Sequence, residues 1–212
     1  MLQSDPKIYF DPRKHRYAYE DKWMLHSVTR VIDDLTPSAR EQIARTKDGP
    51  DGWEARGNAV HGYLEKFLLG KAGETKDGLV IDEKWSEWIN PLLDHWLWED
   101  CIVEAVELRL CDPKKSLAGS LDFIISDKNG NRVLGDLKTV GSDKATDLRK
   151  PAEKQLGGYL QMLLDGHRFW VDKCVTVVAG PGRTVVKPSK PDDCLAAWID
   201  AWQKFDMQQP DL

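Results

Sequence analysis

The chain has 212 residues, enough to bury a proper core as one domain, and its 41% hydrophobic and 31% charged residues are ordinary for a globular protein. No apolar run is long enough to span a membrane, and the opening MLQSDPKIYFDPRKH lacks the basic end and apolar centre of a secretion signal, so a cytoplasmic protein without a membrane partner is expected. The formal charge of -5 argues against a broadly basic surface but leaves room for a cleft with a local basic lining.

The elements follow in order. Residues 7–32 alternate short aromatic or β-branched runs with DP and ED turn signals, which predicts a small hairpin region leading into a helix near Ser27 to Asp34. Pro37, Gly49, Pro50 and Gly52 predict a linker around KDGPDG within 36–52. Residues 53–69 carry Ala59, Val60, Tyr63, Leu64, Phe67 and Leu68 at helical spacing, with Gly70 as a stop. GETKDG reads as a loop. Residues 82–99 read as a tryptophan-rich helix whose Trp85, Trp88, Leu92 and Trp96 face a core.

Three strands are expected next, at 102–110, 117–126 and 132–140, the last two joined by the turn signal DKNGN. A helix over 151–165 starts at Pro151, strands at 172–179 and 183–188 follow, and an amphipathic helix closes the chain at 191–206. This order predicts an α/β (α+β) protein, a central mixed sheet flanked by helices. Residues 1–50 form its N-terminal hairpin and helix region and 51–212 its core. Cys101, Cys111, Cys174 and Cys194 are widely spaced with no CxxC, so they read as free thiols rather than a cluster site.

The chemistry begins in NRVLGDLKTV, an apolar strand that holds Asp136 and Lys138 on one face because the side-chain period is two. Asp122 lies on the other arm of the hairpin. A plain two-residue turn at Asn129–Gly130 would pair Asp122 with Leu137 and turn the two aspartates to opposite faces. A three-residue or bulged turn, with Gly130 left-handed, restores a shared face and is therefore expected. Two carboxylates brought together repel unless a proton or cation intervenes, and hard oxygen ligands suit Mg²⁺ or Mn²⁺. Lys138 beside them could polarise a water or stabilise charge on a phosphate. An isolated D-x-K is more often a surface ion pair; here it has company. His61 and Glu65 sit four apart on one helical face, although a lone histidine is more often structural. Glu104 and Glu107 lie on opposite faces of a regular strand, so at most one joins the site.

These residues resemble the PD-(D/E)xK nuclease superfamily, most closely its RecB-like, phage-type exonuclease branch, which includes mitochondrial genome-maintenance exonucleases. The motifs run in order: Gly57 to His61, Glu107, Gly119 to Asp122, Asp136 to Lys138, and Gln155 to Tyr159. The N-terminal segment with Ser27-Val28-Thr29 resembles the same branch, and the likeness covers about residues 8 to 165. It implies a restriction-endonuclease-like core and a metal-dependent DNA exonuclease of recombination, replication or repair, in a bacterial or phage-infected cell. Asp122, Asp136, the Leu137 carbonyl and His61 would bind Mg²⁺ or Mn²⁺, Lys138 would activate water, and Glu107 would support the site through water or second-layer bonds. Gln155 and Tyr159 would hold Lys138 and the nucleic-acid strand. The clustered C-terminal cysteines of iron–sulfur relatives are absent, as is a helicase P-loop.

The implied partner is DNA, single-stranded or at its ends. Arg56, Ser27 and Thr29 sit within resembling motifs as phosphate binders, and Lys144, Arg149, Lys150 and Lys154 follow the D-x-K strand, each equally well a solvated surface charge. Trp53 reads as packing, with base stacking as the alternative. A different class of reading is a catalytically silent nucleic-acid-binding protein on the same fold, which the intact acid–acid–lysine set disfavours.

Overall fold

The computed structural model describes residues 1–47, 49, 52–73 and 79–208, without the side chain of Gln42. It is a mixed α+β protein: a central mixed sheet flanked by helices, with a small antiparallel sheet at the N-terminus. That small sheet is β1 (Ile8–Asp11), β2 (Arg16–Tyr19) and β3 (Lys22–Trp23), paired in sequence. β4 (His26–Ser27) then enters the central sheet, and α1 (Val28–Val31) follows it, capped by the Ser27 hydroxyl.

The segment 36–52 begins with α2 (Pro37–Arg45), ahead of the KDGPDG stretch expected to be a linker. Thr36 accepts from the Ala39 N–H and Pro37 occupies the first turn, a start signal that outweighs the downstream glycines and prolines. Residues 48, 50 and 51 of KDGPDG, and 74–78 of the GETKDG loop, lie outside the described residues. α3 (Trp53–Lys71) matches its apolar periodicity. The tryptophan-rich stretch is not one helix. A 3₁₀ turn (Glu83–Trp85), α4 (Ser86–Leu93) and a second 3₁₀ turn (Trp96–Trp98) replace it. Pro91 removes one helical donor, and His95 caps the last turn by accepting from the Leu97 N–H. Trp98 is buried, whereas Trp96 is 64% exposed, contrary to its expected core role.

β5 (Ile102–Asp112), β6 (Leu117–Ser126) and β7 (Arg132–Thr139) fall where the apolar patterns placed them. α5 (Asp143–Leu148), which the charged composition concealed, precedes α6 (Glu153–Met162). α6 starts at Glu153 rather than Pro151 and runs into a π turn at Leu163–His167. β8 (Lys173–Gly180), β9 (Arg183–Ser189) and α7 (Pro191–Asp206) complete the fold. The sheet runs β4-β6-β7-β8-β9, with β5 also paired to β6; β4–β6 and β7–β8 are parallel. One face is covered by α1, α6 and α7 over Leu121, Ile124 and Leu134, the other by α3 and α4 over Phe123, Val133 and Leu137. Among the described residues no helix is long and apolar enough to cross a membrane.

Candidate metal centre and cleft

The hairpin between β6 and β7 carries the expected loop. The Asp127 N–H donates to the Asn131 carbonyl at 2.9 Å, leaving Lys128, Asn129 and Gly130 between them, with Gly130 at φ 80°. The ladder pairs Ser126 with Arg132 and Phe123 with Gly135, so Asp122 and Asp136 share a register position. A Cβ on Gly135 would lie 1.8 Å from the Phe123 ring, so glycine is required where that ring crosses the neighbouring strand.

Beyond this point the strands part. β7 continues against β8 alone, and β6 meets β4 only at Leu117–Ala118, so Gly119–Asp122 has no strand partner on that side. A strand N–H without a ladder partner needs another acceptor, and the Asp122 carboxylate accepts the Leu137 N–H at 2.6 Å. The parting strands open the floor of a cleft of about 910 Å³. It is lined by His61, Glu107, Asp122, Leu137 and Lys138 together with residues of the N-terminal sheet and of α3.

His61, Glu107 and Asp122 each offer a ligand atom, and the three atoms lie within 4.8 Å of one another. The His61 Nδ1 is 3.7 Å from an Asp122 oxygen. Glu107 stands opposite Asp122 between the ladder pairs Val106–Phe123 and Leu108–Leu121, and its φ of 46° is left-handed inside a strand. Such a backbone costs on the order of 1–3 kcal/mol for a non-glycine residue; here it turns the glutamate to the cleft while Val106 and Leu108 enter opposite core clusters. Burial, then the charges of Asp122 and Glu65, push the Glu107 carboxyl up to about 8, against the pull of Arg109. Glu107 thus joins the acidic group directly, where a supporting position was expected. Glu104 lies at a bulge and serves Ser126 and Arg132 instead.

Asp136 is completely buried, and burial raises its pKa against the pull of Lys138. The Lys138 Nζ lies 2.9 Å from its Oδ1 and 2.7 Å from its Oδ2, but Oδ2 has no aligned hydrogen bond. Lys138 also donates to Gln155 Oε1 at 2.9 Å, and Gln155 Nε2 donates to the Tyr159 hydroxyl at 3.2 Å. Asp136 is therefore the lysine's anchor and stands outside the three-residue ligand group. Leu137 donates its N–H to Asp122 and lines the cleft.

The donor set fits a divalent cation. Two carboxylates and an imidazole at this spacing could hold a divalent cation, and burial, then the charges of Asp122 and Glu65, raises the Glu107 pKa.

No family profile matches the chain, and no curated protein does. A similar solved structure is described as the crystal structure of SSO0001, 18% identical over 87% of this chain and 76% of that one, with a TM-score of 0.47.

The expected strand-binding residues divide. Ser27, Thr29 and Arg149 line the cleft, as does Trp53, whose Nε1 donates to the Ile43 carbonyl. Arg56 lies over the Trp88 ring, 5.5 Å from its centre, and beside Gly141 rather than in the lining. Lys144 and Lys150 are exposed outside it, and Lys154 pairs with Asp34. Sequence reasoning missed Phe10, His15, Tyr17, Asn58 and Ser120 as cleft residues. Asn58 carries a legible signal, one turn before His61 on the same helical face.

Proposed function

We propose that this protein is a divalent-metal-dependent deoxyribonuclease that hydrolyses DNA phosphodiester bonds, acting from strand ends in recombination, replication or repair. The observation that carries the reading is the convergence of His61, Glu107 and Asp122 beside a lysine fixed by Asp136 and Gln155. A divalent ion held by the first three, with Asp136 adjoining, would supply Lewis-acid polarisation of the phosphate. Lysine has three N–H donors; two of Lys138's face Asp136 and Gln155, and the third remains for an attacking water or a non-bridging phosphate oxygen. The Asp136 carboxylate keeps that ammonium in place, Gln155 fixes its direction, and Tyr159 fixes Gln155. The parted strands leave room for a phosphodiester over this floor.

The test is digestion of end-labelled linear DNA with Mn²⁺, Mg²⁺ or chelator. Degradation is expected with either metal and none with chelator, and a closed circular substrate should survive while the linear form is lost. Strand binding without cleavage under every metal would favour the silent DNA-binding alternative, and full activity in Lys138→Ala would remove the lysine from the chemistry.

A further inference from the structure

We propose that the N-terminal three-stranded sheet is a guide for single-stranded nucleic acid, stacking bases of the strand at the cleft mouth. The inference rests on reading the cleft as a nucleic-acid site and adds how the strand is held. The cleft has two walls above its floor. One is the β1–β2 hairpin, contributing Phe10, Pro12, His15 and Tyr17; the other is Ile43, Thr46 and Trp53. Phe10 and His15 meet edge to face at 5.4 Å, and Phe10 lies 4.7 Å from the Tyr17 ring. Below them the Tyr17 hydroxyl sits 3.1 Å from Ser120 Oγ, two residues from Asp122, which locks the wall to the site-bearing strand.

The hairpin tip is basic although the chain is acidic overall. Arg13, Lys14 and Arg16 are exposed there, with Lys14 and Arg16 over the Trp23 ring on the face of the small sheet turned away from Phe10 and Tyr17. Asp11 fixes the turn by accepting from the Arg13 and Lys14 N–H groups, and His15 is held left-handed at φ 48°. A strand whose bases meet Phe10 and His15 would carry its backbone around the tip to these cations; aromatic faces joined to a basic backbone track are how single strands are bound without sequence reading. A duplex keeps its bases stacked inside and offers none of these faces a partner, so the guide selects unpaired strands or frayed ends.

The experiment uses the full chain in chelator and a dodecamer carrying 2-aminopurine, single-stranded or in duplex. Binding should quench the fluorophore in the single strand. Phe10→Leu with His15→Asn, which keeps packing volume and the left-handed turn, should abolish quenching and weaken binding about tenfold, the scale of one lost base stack. Arg13→Ser, Lys14→Ser and Arg16→Ser together alter only exposed side chains and should lower the salt slope of log affinity by about 2. Circular dichroism confirms the fold of each variant. Equal affinity for duplex and single strand, or quenching unaffected in the aromatic variant, overturns the guide. Cleavage with Mn²⁺ is scored separately: bound and quenched strand that is never cut removes the hydrolase while the guide stands, and cutting without quenching does the reverse.

Discussion

Lys138 and Asp136 lie two apart in a mostly apolar strand, and their roles differ more than their spacing suggested. Asp136 is buried and anchors the ammonium, while Lys138 reaches the cleft. Lys138→Gln keeps a polar group beside Asp136 and Gln155 but removes the positive charge. Its expected effect is a loss of 10²- to 10⁴-fold in hydrolysis rate, the usual scale for a proton-transfer or charge-stabilising group, with strand affinity in chelator retained; single-turnover kinetics and a binding titration measure the two. Asp122→Asn can still accept the Leu137 N–H through its amide oxygen, so the fold should persist while the Mn²⁺ concentration for half-maximal activity rises tenfold or more. An unchanged metal requirement would remove Asp122 from the ligand set. At this scale the acids and the lysine were legible because a charge in an apolar strand needs a reason. Glu107's place among them was not, since a regular strand gives no hint of a left-handed residue. The residual trace is the apolar spacing, in which Ala105 and Leu108, three apart, share one core cluster while Val106 enters the other.

The β6–β7 hairpin shows what a single turn decides. Its three-residue loop sets the parity that puts Asp122 and Asp136 at matching positions, and that requirement could be derived from strand periodicity alone. Asp127 holds the loop: its Oδ1 accepts from the Asn129 and Asn131 N–H groups, and its Oδ2 pairs with Lys173 at 2.8 Å. The hydrogen bond from Lys173, then those from Asn131, hold its carboxyl well below the usual carboxylate range. A depressed folded-state pKa gives stability that is present above the unfolded value near 4 and lost as pH falls below it. Asp127→Asn should therefore destabilise by about 1–2 kcal/mol at pH 7, the scale of a lost cap with its charged partner, and the gap to the wild type should narrow progressively as pH falls below about 4. Urea melts at pH 7, 4 and 2 measure this; a pH-independent gap would mean that the ionised carboxylate is not what holds the turn. Elements without an apolar stripe were the illegible ones. α5 carries charge on most of its surface and depends on a Ser142 cap and on Arg183 pairing with Asp143 and Asp147. The tryptophan spacing in 85–98 matched one helix only until Pro91 and the His95 cap divided it.

Across the molecule, apolar burial and the acidic floor pull in different directions. The two core clusters close the sheet's faces with large side chains such as Trp98, Phe123 and Trp198. The N-terminal segment guards the outer edge of β5, with the Leu2 N–H on the Glu104 carbonyl and the Ser4 hydroxyl on the Arg109 N–H. Between these closed surfaces the parted strands leave several acidic groups facing one cleft, which the apo fold holds against their repulsion. A cation that binds this arrangement in the folded state and not in the unfolded chain must raise the unfolding free energy by RT ln(1 + [L]/Kd), about 2.7 kcal/mol at a hundredfold excess over Kd. Thermal melts should accordingly rise by several degrees with millimolar Mn²⁺ and return on adding chelator. The rise should vanish in a His61→Ala, Asp122→Asn double variant, whose own melting in chelator is lowered less than two lost side-chain contacts would suggest because Asp122→Asn removes one of the repelling carboxylates. Calcium offers a further separation: its larger radius and need for more oxygen ligands predict a smaller shift than Mn²⁺ gives with the imidazole-containing set. Equal shifts from Mn²⁺ and Ca²⁺ in the double variant would place the cation elsewhere on the acidic surface and detach metal binding from the cleft.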